Sequence, residues 1–77
     1  MVQFVAANFY PADTGMSNKE METFLEEIGG RKILITGTGG QYIQALLYPD
    51  TADEIARQAT ERGLRVTRLN NRGNPKK

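Results

Sequence analysis

Cysteine, histidine and tryptophan are all absent from this 77-residue chain. The absence of cysteine excludes disulfides and thiolate metal sites and is typical of a reducing compartment, so we expect a cytoplasmic location. Without histidine or cysteine, the chain cannot form Ser-His or Cys-His nucleophile pairs or the usual transition-metal sites. We therefore expect no enzymatic activity, no cofactor and no bound metal.

Long apolar runs are also missing, and the N-terminal stretch MVQFVAANFY lacks the basic flank of a signal peptide. We expect no membrane span and a chain that starts at its own Met1. With 39% hydrophobic and 25% charged residues, the composition is typical of a globular protein. At this length we expect one compact domain over residues 1–70 and a flexible tail over residues 71–77, where NRGNPKK has nothing to bury.

The N-terminal part predicts a strand followed by a helix. Residues 2–8 are rich in β-branched and aromatic types, which predicts a strand. Ser17 and Glu20 have the spacing of a capping box, in which each side chain binds the other residue's backbone N–H. An apolar stripe follows at helical spacing, and Gly29 and Gly30 provide a helix stop. The stripe comprises Met21, Phe24, Leu25 and Ile28.

The segment KILITGTGGQYIQALL, residues 32–47, combines a β-branched run with closely spaced glycines. Thr36, Gly37 and Gly40 match the pattern TGxxGxxG, so the segment resembles the strand and glycine loop of a Rossmann dinucleotide-binding unit, as in short-chain dehydrogenases. That resemblance implies a phosphate-binding loop. The third glycine of the pattern is replaced by Ile43, however, so we favour a β-hairpin.

In the hairpin interpretation, residues 37–40 connect two strands, and their three glycines permit the positive φ angles that tight turns need. Residues 32–36 and 41–48 are then the strands, and Pro49 closes the second. A short helix over residues 41–48 is the remaining alternative, because the apolar residues there also fit a helical stripe.

A second helix is expected after Pro49, because Thr51 and Glu54 repeat the capping-box spacing. Gly63 would end that helix, and residues 64–69 alternate as a last strand. The resulting order, βαββαβ, is that of the α+β ferredoxin-like fold (split β-α-β), with two helices on one face of a four-stranded antiparallel sheet. Right-handed crossovers would place the first and third strands in the middle.

The sheet face away from the helices is the expected working surface. If Ile33 and Ile35 point toward the helices, their neighbours point outward, where a solvated sheet normally carries polar residues. Tyrosine and leucine occupy several of these outward positions instead, with a basic margin, and such a patch indicates a partner. The candidate partner-binding residues are Leu34, Tyr42, Gln44, Leu46, Tyr48, Lys32, Arg65 and Thr67.

One class of partner is nucleic acid. The order of strands and helices and the aromatic residues on the strands resemble the RNA-recognition motif, in which rings on the two central strands stack bases. The resemblance implies that Tyr42, Tyr48 and Phe4 stack bases and that Lys32 and Arg65 meet phosphates.

The other class of partner is protein. The net charge is only +1, yet residues 57–77 carry seven basic residues against one acidic residue, while the first predicted helix is acidic. Such polarity orients a protein partner, and tyrosine and arginine anchor protein contacts. We expect a small protein-interaction module, an inhibitor, adaptor or regulatory protein like those of phages and mobile elements. It would bind a protein or a second copy through the open sheet face, with single-stranded RNA or DNA as the alternative ligand.

Overall fold

Four strands and two helices follow one another in the computed structural model, which describes residues 3–69. The elements are β1 (Val5–Tyr10), α1 (Asn18–Gly29), β2 (Ile33–Gly39), β3 (Tyr42–Leu47), α2 (Pro49–Arg62) and β4 (Arg65–Leu69), with a 3-10 turn over Gly30–Lys32. Neighbouring strands are antiparallel and the sheet order is β2-β3-β1-β4. The predicted ferredoxin-like α+β fold is confirmed, with β1 and β3 in the centre.

The first helix begins as its sequence predicts. The Glu20 backbone N–H donates to Ser17 Oγ at 3.2 Å, and the Ser17 N–H donates to Glu20 Oε1 at 2.9 Å, which completes the capping box. These two bonds satisfy donors that a helix N-terminus otherwise leaves free. Met21 and Leu25 are fully buried, so the predicted apolar stripe faces the core.

The glycine-rich segment is a β-hairpin, and residues 41–48 do not form a helix. The predicted connection over residues 37–40 is wrong, because β2 continues to Gly39, which pairs with Tyr42. The turn therefore contains only two residues, of which Gly40 has φ +51° while Gln41 is not among the described residues with positive φ. This combination fits a type II′ turn, in which glycine occupies the first central position.

A β-bulge explains why β2 is longer than expected. Ile35 and Gly37 pair with consecutive residues of β3, which leaves Thr36 as the extra residue. The Thr36 hydroxyl donates to the Gln44 carbonyl at 3.1 Å. Because a bulge offsets the alternation of one strand, Gly37 and Gly39 fall on the outer face beyond it.

The second helix starts earlier than its sequence predicts. It begins at Pro49 with Tyr48 as N-cap and no side-chain cap, so the expected capping box at Thr51 is wrong. The Thr51 hydroxyl donates back to the Tyr48 carbonyl at 3.4 Å instead. Proline suits the first helical position because its φ is already helical and its missing N–H would have no partner there. Gly63, with φ +109°, ends the helix as predicted.

The C-terminal end of β1 also differs from the predicted one. β1 continues to Tyr10 instead of stopping within residues 2–8, because Tyr10 pairs with Arg65 of β4. The first and last strands of the fold are therefore hydrogen-bonded neighbours. The predicted domain boundary after residue 70 and the predicted tail over residues 71–77 lie outside the described residues.

The core lies between the sheet and the two helices. Its largest fully buried side chains come from β1, α1 and β3 and are Phe9, Met21, Leu25, Ile43 and Leu47. Alanines at positions 7, 45, 52 and 59 complete the contact between the sheet and α2. Their small side chains allow α2 to lie close to the sheet. Burial of these side chains is the main source of stability in a domain of this size.

Candidate functional site

The outer face of the sheet is covered by no helix or strand within residues 3–69. Register and alternation assign its side chains, because directly opposite residues of an antiparallel pair share a face. β1 and the residue before it contribute Phe4, Ala6, Asn8 and Tyr10. β3 and the residue after it contribute Tyr42, Gln44, Leu46 and Tyr48. The edge strands add Leu34, Arg65 and Thr67. We call this set the open face.

One end of the open face is an aromatic cluster with a lysine. Phe4 and Tyr48 meet edge to face, with ring centroids 5.2 Å apart and planes at 87°. The Lys32 ammonium lies 5.7 Å from the Tyr48 ring centroid, within cation–π range, and 3.8 Å from an Asp50 carboxylate oxygen. The backbone fixes this arrangement, since the Tyr48 N–H donates to the Lys32 carbonyl at 3.2 Å.

The other end carries a second aromatic cluster with an arginine. Tyr10 and Tyr42 are stacked, with centroids 5.3 Å apart and planes at 28°. The Arg65 guanidinium lies 6.0 Å from the Tyr10 centroid. Tyr42 also leans across the edge strand, because a Cβ built on Gly39 would lie 2.8 Å from the Tyr42 hydroxyl. Glycine at position 39 thus provides the space that the tyrosine ring occupies.

Between the two clusters the open face has one apolar row and one polar row. Leu34, Leu46 and Ala6 lie side by side across β2, β3 and β1, and Leu34 is 58% exposed. The polar row contains Gln44, Asn8 and Thr67. Asn8 donates to the Tyr10 hydroxyl at 3.3 Å, while its own oxygen is enclosed and has no hydrogen-bond partner.

Acidic residues neutralise two of the arginines outside the open face. The Arg57 side chain lies between Glu54 and Glu61, at 2.5 Å and 2.8 Å. The Arg57 guanidinium donates a hydrogen bond to the Glu54 carboxylate. This bond lowers the pKa of Glu54 and raises the pKa of Arg57. Arg68, on the helix-facing side of β4, is bound by Asp53 of α2. Within residues 57–69 the basic side chains therefore form a less continuous cationic track than the sequence indicates.

All eight residues predicted for the site lie on the open face or at its margin, with Lys32 and Arg65 at opposite ends. Tyr10 is not among the predicted site residues, and Phe4 is predicted only as a base-stacking residue. The signal was present in the alternation of FVAANFY: since Phe9 is buried, its neighbour Tyr10 has to face outward. The predicted end of β1 at residue 8 hid this signal.

The open face offers apolar contact, aromatic rings, amides and two cations. Within residues 3–69 there is no group of three potential metal ligands. In the same range, none of the helices has the length and apolar character needed to cross a bilayer. Comparison of the chain with models of protein families, with curated proteins and with solved structures found no match. Function has to be inferred from the geometry of the open face.

Proposed function

We propose that the chain is a small non-enzymatic protein-interaction module, an inhibitor, adaptor or regulatory protein, that binds its partner through the open face. A cytoplasmic location and a bacterial or phage origin belong to the same proposal. The observation that carries it is the composition of the open face, where aromatic and aliphatic side chains occupy positions at which a solvated sheet places polar ones.

The two aromatic clusters support binding because their rings are already held in place. Each ring packs against a neighbour on the adjacent strand, so less side-chain entropy is lost when a partner arrives. Tyrosine and arginine are also the residues at which truncation most often weakens protein complexes. The clusters flank the apolar row of Leu34, Leu46 and Ala6, which gives an apolar centre between two anchoring ends.

The charges at the margin favour a partner with acidic groups. Lys32 and Arg65 lie at opposite ends of the open face, and Lys32 shares its charge with Asp50, whose carboxylate oxygen lies 3.8 Å from the ammonium. A partner with carboxylates at two separated points would be oriented by these cations, which affects the association rate more than the affinity.

Single-stranded RNA or DNA is the second candidate ligand. The observation that favours it is the position of the rings, which lie on the two central strands or directly beside their ends, with a cation near each cluster. Two features support protein over nucleic acid. The rings already contact each other, which reduces the ring surface available to bases, and Arg57 and Arg68 are bound by carboxylates.

The test is affinity capture from a bacterial lysate split into nuclease-treated and untreated halves. We compare the wild type with Tyr42→Ala/Tyr48→Ala and with a matched double variant on the exposed side of α1, Glu26→Gln/Glu27→Gln. We expect a protein whose recovery survives nuclease, falls about tenfold or more in the tyrosine variant, and is unchanged in the helix variant.

Circular dichroism of each variant separates loss of binding from loss of folding, and the single variants Tyr42→Ala and Tyr48→Ala replace the double variant if it is unfolded. Recovery of nucleic acid, with bands lost after nuclease, would overturn the protein proposal in favour of the second candidate. Equal capture by the wild type and a folded tyrosine variant would exclude the open face as the binding surface.

A further inference from the structure

The two edges of the sheet are protected very differently. β4, at one edge, carries Arg65 and Arg68. β2, at the other edge, has the sequence ILITGTG, with no charged residue and no proline. Natural sheets usually protect an edge with charge, proline or a covering element, because its free backbone groups can pair with another strand. Within β2 the one such feature is the bulge at Thr36, after the third residue of the strand.

Backbone geometry identifies which N–H and C=O groups of β2 point away from β3, toward the edge of the sheet. The Tyr48 N–H donates to the Lys32 carbonyl, so this pair is of the hydrogen-bonded type. Hydrogen-bonded and non-hydrogen-bonded pairs alternate along an antiparallel ladder. Leu34 therefore bonds to β3, whereas the N–H and C=O groups of Ile33 and Ile35 point away from it, toward the edge.

The side chains at this edge are also incompletely covered. Ile33 and Ile35 face the helices but remain partly exposed, whereas Ile43 and Leu47 on the adjacent strand are fully buried. Leu34, on the open face, is 58% exposed. Apolar groups on both sides of β2 would lose contact with water if another strand were added beside it.

We infer that β2 pairs with β2 of a second copy, antiparallel and about a two-fold axis at Leu34. In this register Ile33 of each copy faces Ile35 of the other, and the outward backbone groups form two hydrogen-bonded pairs with four hydrogen bonds. Leu34 faces Leu34 of the second copy in a non-hydrogen-bonded pair, in which side chains approach most closely. Shifting the register would bring the bulge or the 3-10 turn into the ladder and lose hydrogen bonds.

Charge and symmetry favour a second copy as the occupant. With the axis at Leu34, Lys32 lies opposite Thr36 of the other copy, so the lysines are separated. The contact uses the same surface twice and closes at two copies, since the remaining edges carry Arg65 and Arg68. Only three residues before the bulge take part, so the interface is small and we expect a dissociation constant in the micromolar range, on the order of 10–100 µM.

This inference does not depend on the proposed function, because it concerns the edge of β2. Pairing would join two four-stranded sheets into one continuous sheet and place the open faces of both copies on the same side. The dimer would then present four aromatic clusters, arranged symmetrically about the two leucines.

The test is sedimentation velocity from about 1 µM to about 1 mM, a range that brackets a weak dimer. We expect the wild type to change from monomer to dimer, and Leu34→Lys and Leu34→Glu each to remain monomeric, because like charges then meet at the axis. An equimolar mixture of the two variants should form a heterodimer. The matched control, Thr67→Lys on the other edge strand, should dimerise like the wild type.

Cross-linking provides a second measurement, since the chain contains no cysteine. Leu34→Cys should form an intermolecular disulfide at least tenfold faster than Thr67→Cys under the same oxidant. A wild type that stays monomeric throughout, a mixture that fails to associate, or equal cross-linking at both positions would overturn the inference. Tyr42→Ala/Tyr48→Ala should still dimerise, so failure of the edge contact and failure of the open-face proposal are distinguishable.

Discussion

The two faces of the sheet are both rich in apolar residues but are stabilised in different ways. On the helix side, Phe9, Ile43 and Leu47 are fully enclosed by two helices. On the outer side, Tyr10, Tyr42 and Tyr48 are only half-buried, and each packs against one other aromatic ring. Each central strand supplies both sets, because successive residues alternate between the faces. The same strand can therefore hold the fold together with one set of residues and present a binding surface with the other.

This difference predicts that adjacent residues of β1 have very unequal effects on stability. Phe9→Ala removes a fully buried ring and should lower the free energy of unfolding by about 3–5 kcal/mol, a large part of the stability of a small domain. Tyr10→Ala removes a half-buried ring and should cost about 1 kcal/mol. Urea denaturation of both variants measures the contrast. Equal losses would mean that the outer face is as important to the fold as the core.

A second experiment concerns the contact between Tyr42 and Gly39. Gly39→Val should lower the free energy of unfolding by about 1–3 kcal/mol, since the new side chain would displace the Tyr42 ring. In a Tyr42→Ala background the same substitution should cost less, and a double-mutant cycle measures the difference. Gly37→Val is the matched control, because a Cβ there meets no atom within 4 Å. An unchanged cost in the Tyr42→Ala background would contradict the contact.

The edge-to-face contact between Phe4 and Tyr48, at the other end of the open face, should contribute less to the free energy of unfolding than the contact between Tyr42 and Gly39. Phe4→Ala and Tyr48→Ala should each lower the free energy of unfolding by about 1 kcal/mol, and the double variant by less than the sum, because the two substitutions remove the same contact. Thermal denaturation of the four proteins completes the cycle. Additive losses would show that the rings are held by other neighbours.

The smallest effect is expected in the helix layer, away from both faces. The hydrogen bond from Arg57 lowers the pKa of Glu54 below its ordinary value of 4.5, with a further bond from Gln58. A carboxylate with a lowered pKa contributes stability that is present above its unfolded-state value and lost as pH falls through the folded-state value. Because the pair is exposed, Glu54→Gln should lower Tm only slightly at pH 7, and by less once pH falls through the folded-state pKa of Glu54. A Tm difference that does not shrink as pH falls would contradict this role of the Arg57 hydrogen bond.

The local signals in the sequence predicted most of the fold. The capping box at Ser17 and Glu20, the apolar stripe of α1 and the alternation around Ile33 and Ile35 depend on near neighbours, and all appear in the structure. The order of these elements then leaves few topologies, which is why the strand order could also be predicted.

The errors occurred where distant parts of the chain decide the outcome. Thr51 has a plausible capping pattern, but β3 remains bonded to Lys32 through Tyr48, so the chain turns directly into the helix at Pro49. Tyr10 belongs to β1 because Arg65 pairs with it, and nothing near Tyr10 in the sequence indicates that partner. The positions of the predicted site residues followed from alternation, whereas the pairing of their rings required the register between β1 and β3.

The hydrogen bonding of the first strand to the last has a consequence for how the chain is made. β1 is synthesised before β4, yet its pairing along one side waits until Arg65–Leu69 has emerged. Until then the side of VAANFY that will face β4 presents an unpaired backbone on the nascent chain. A ribosome that stalls in α2 would hold this segment open, so truncated products should be recognised by chaperones and proteases far more readily than the finished protein.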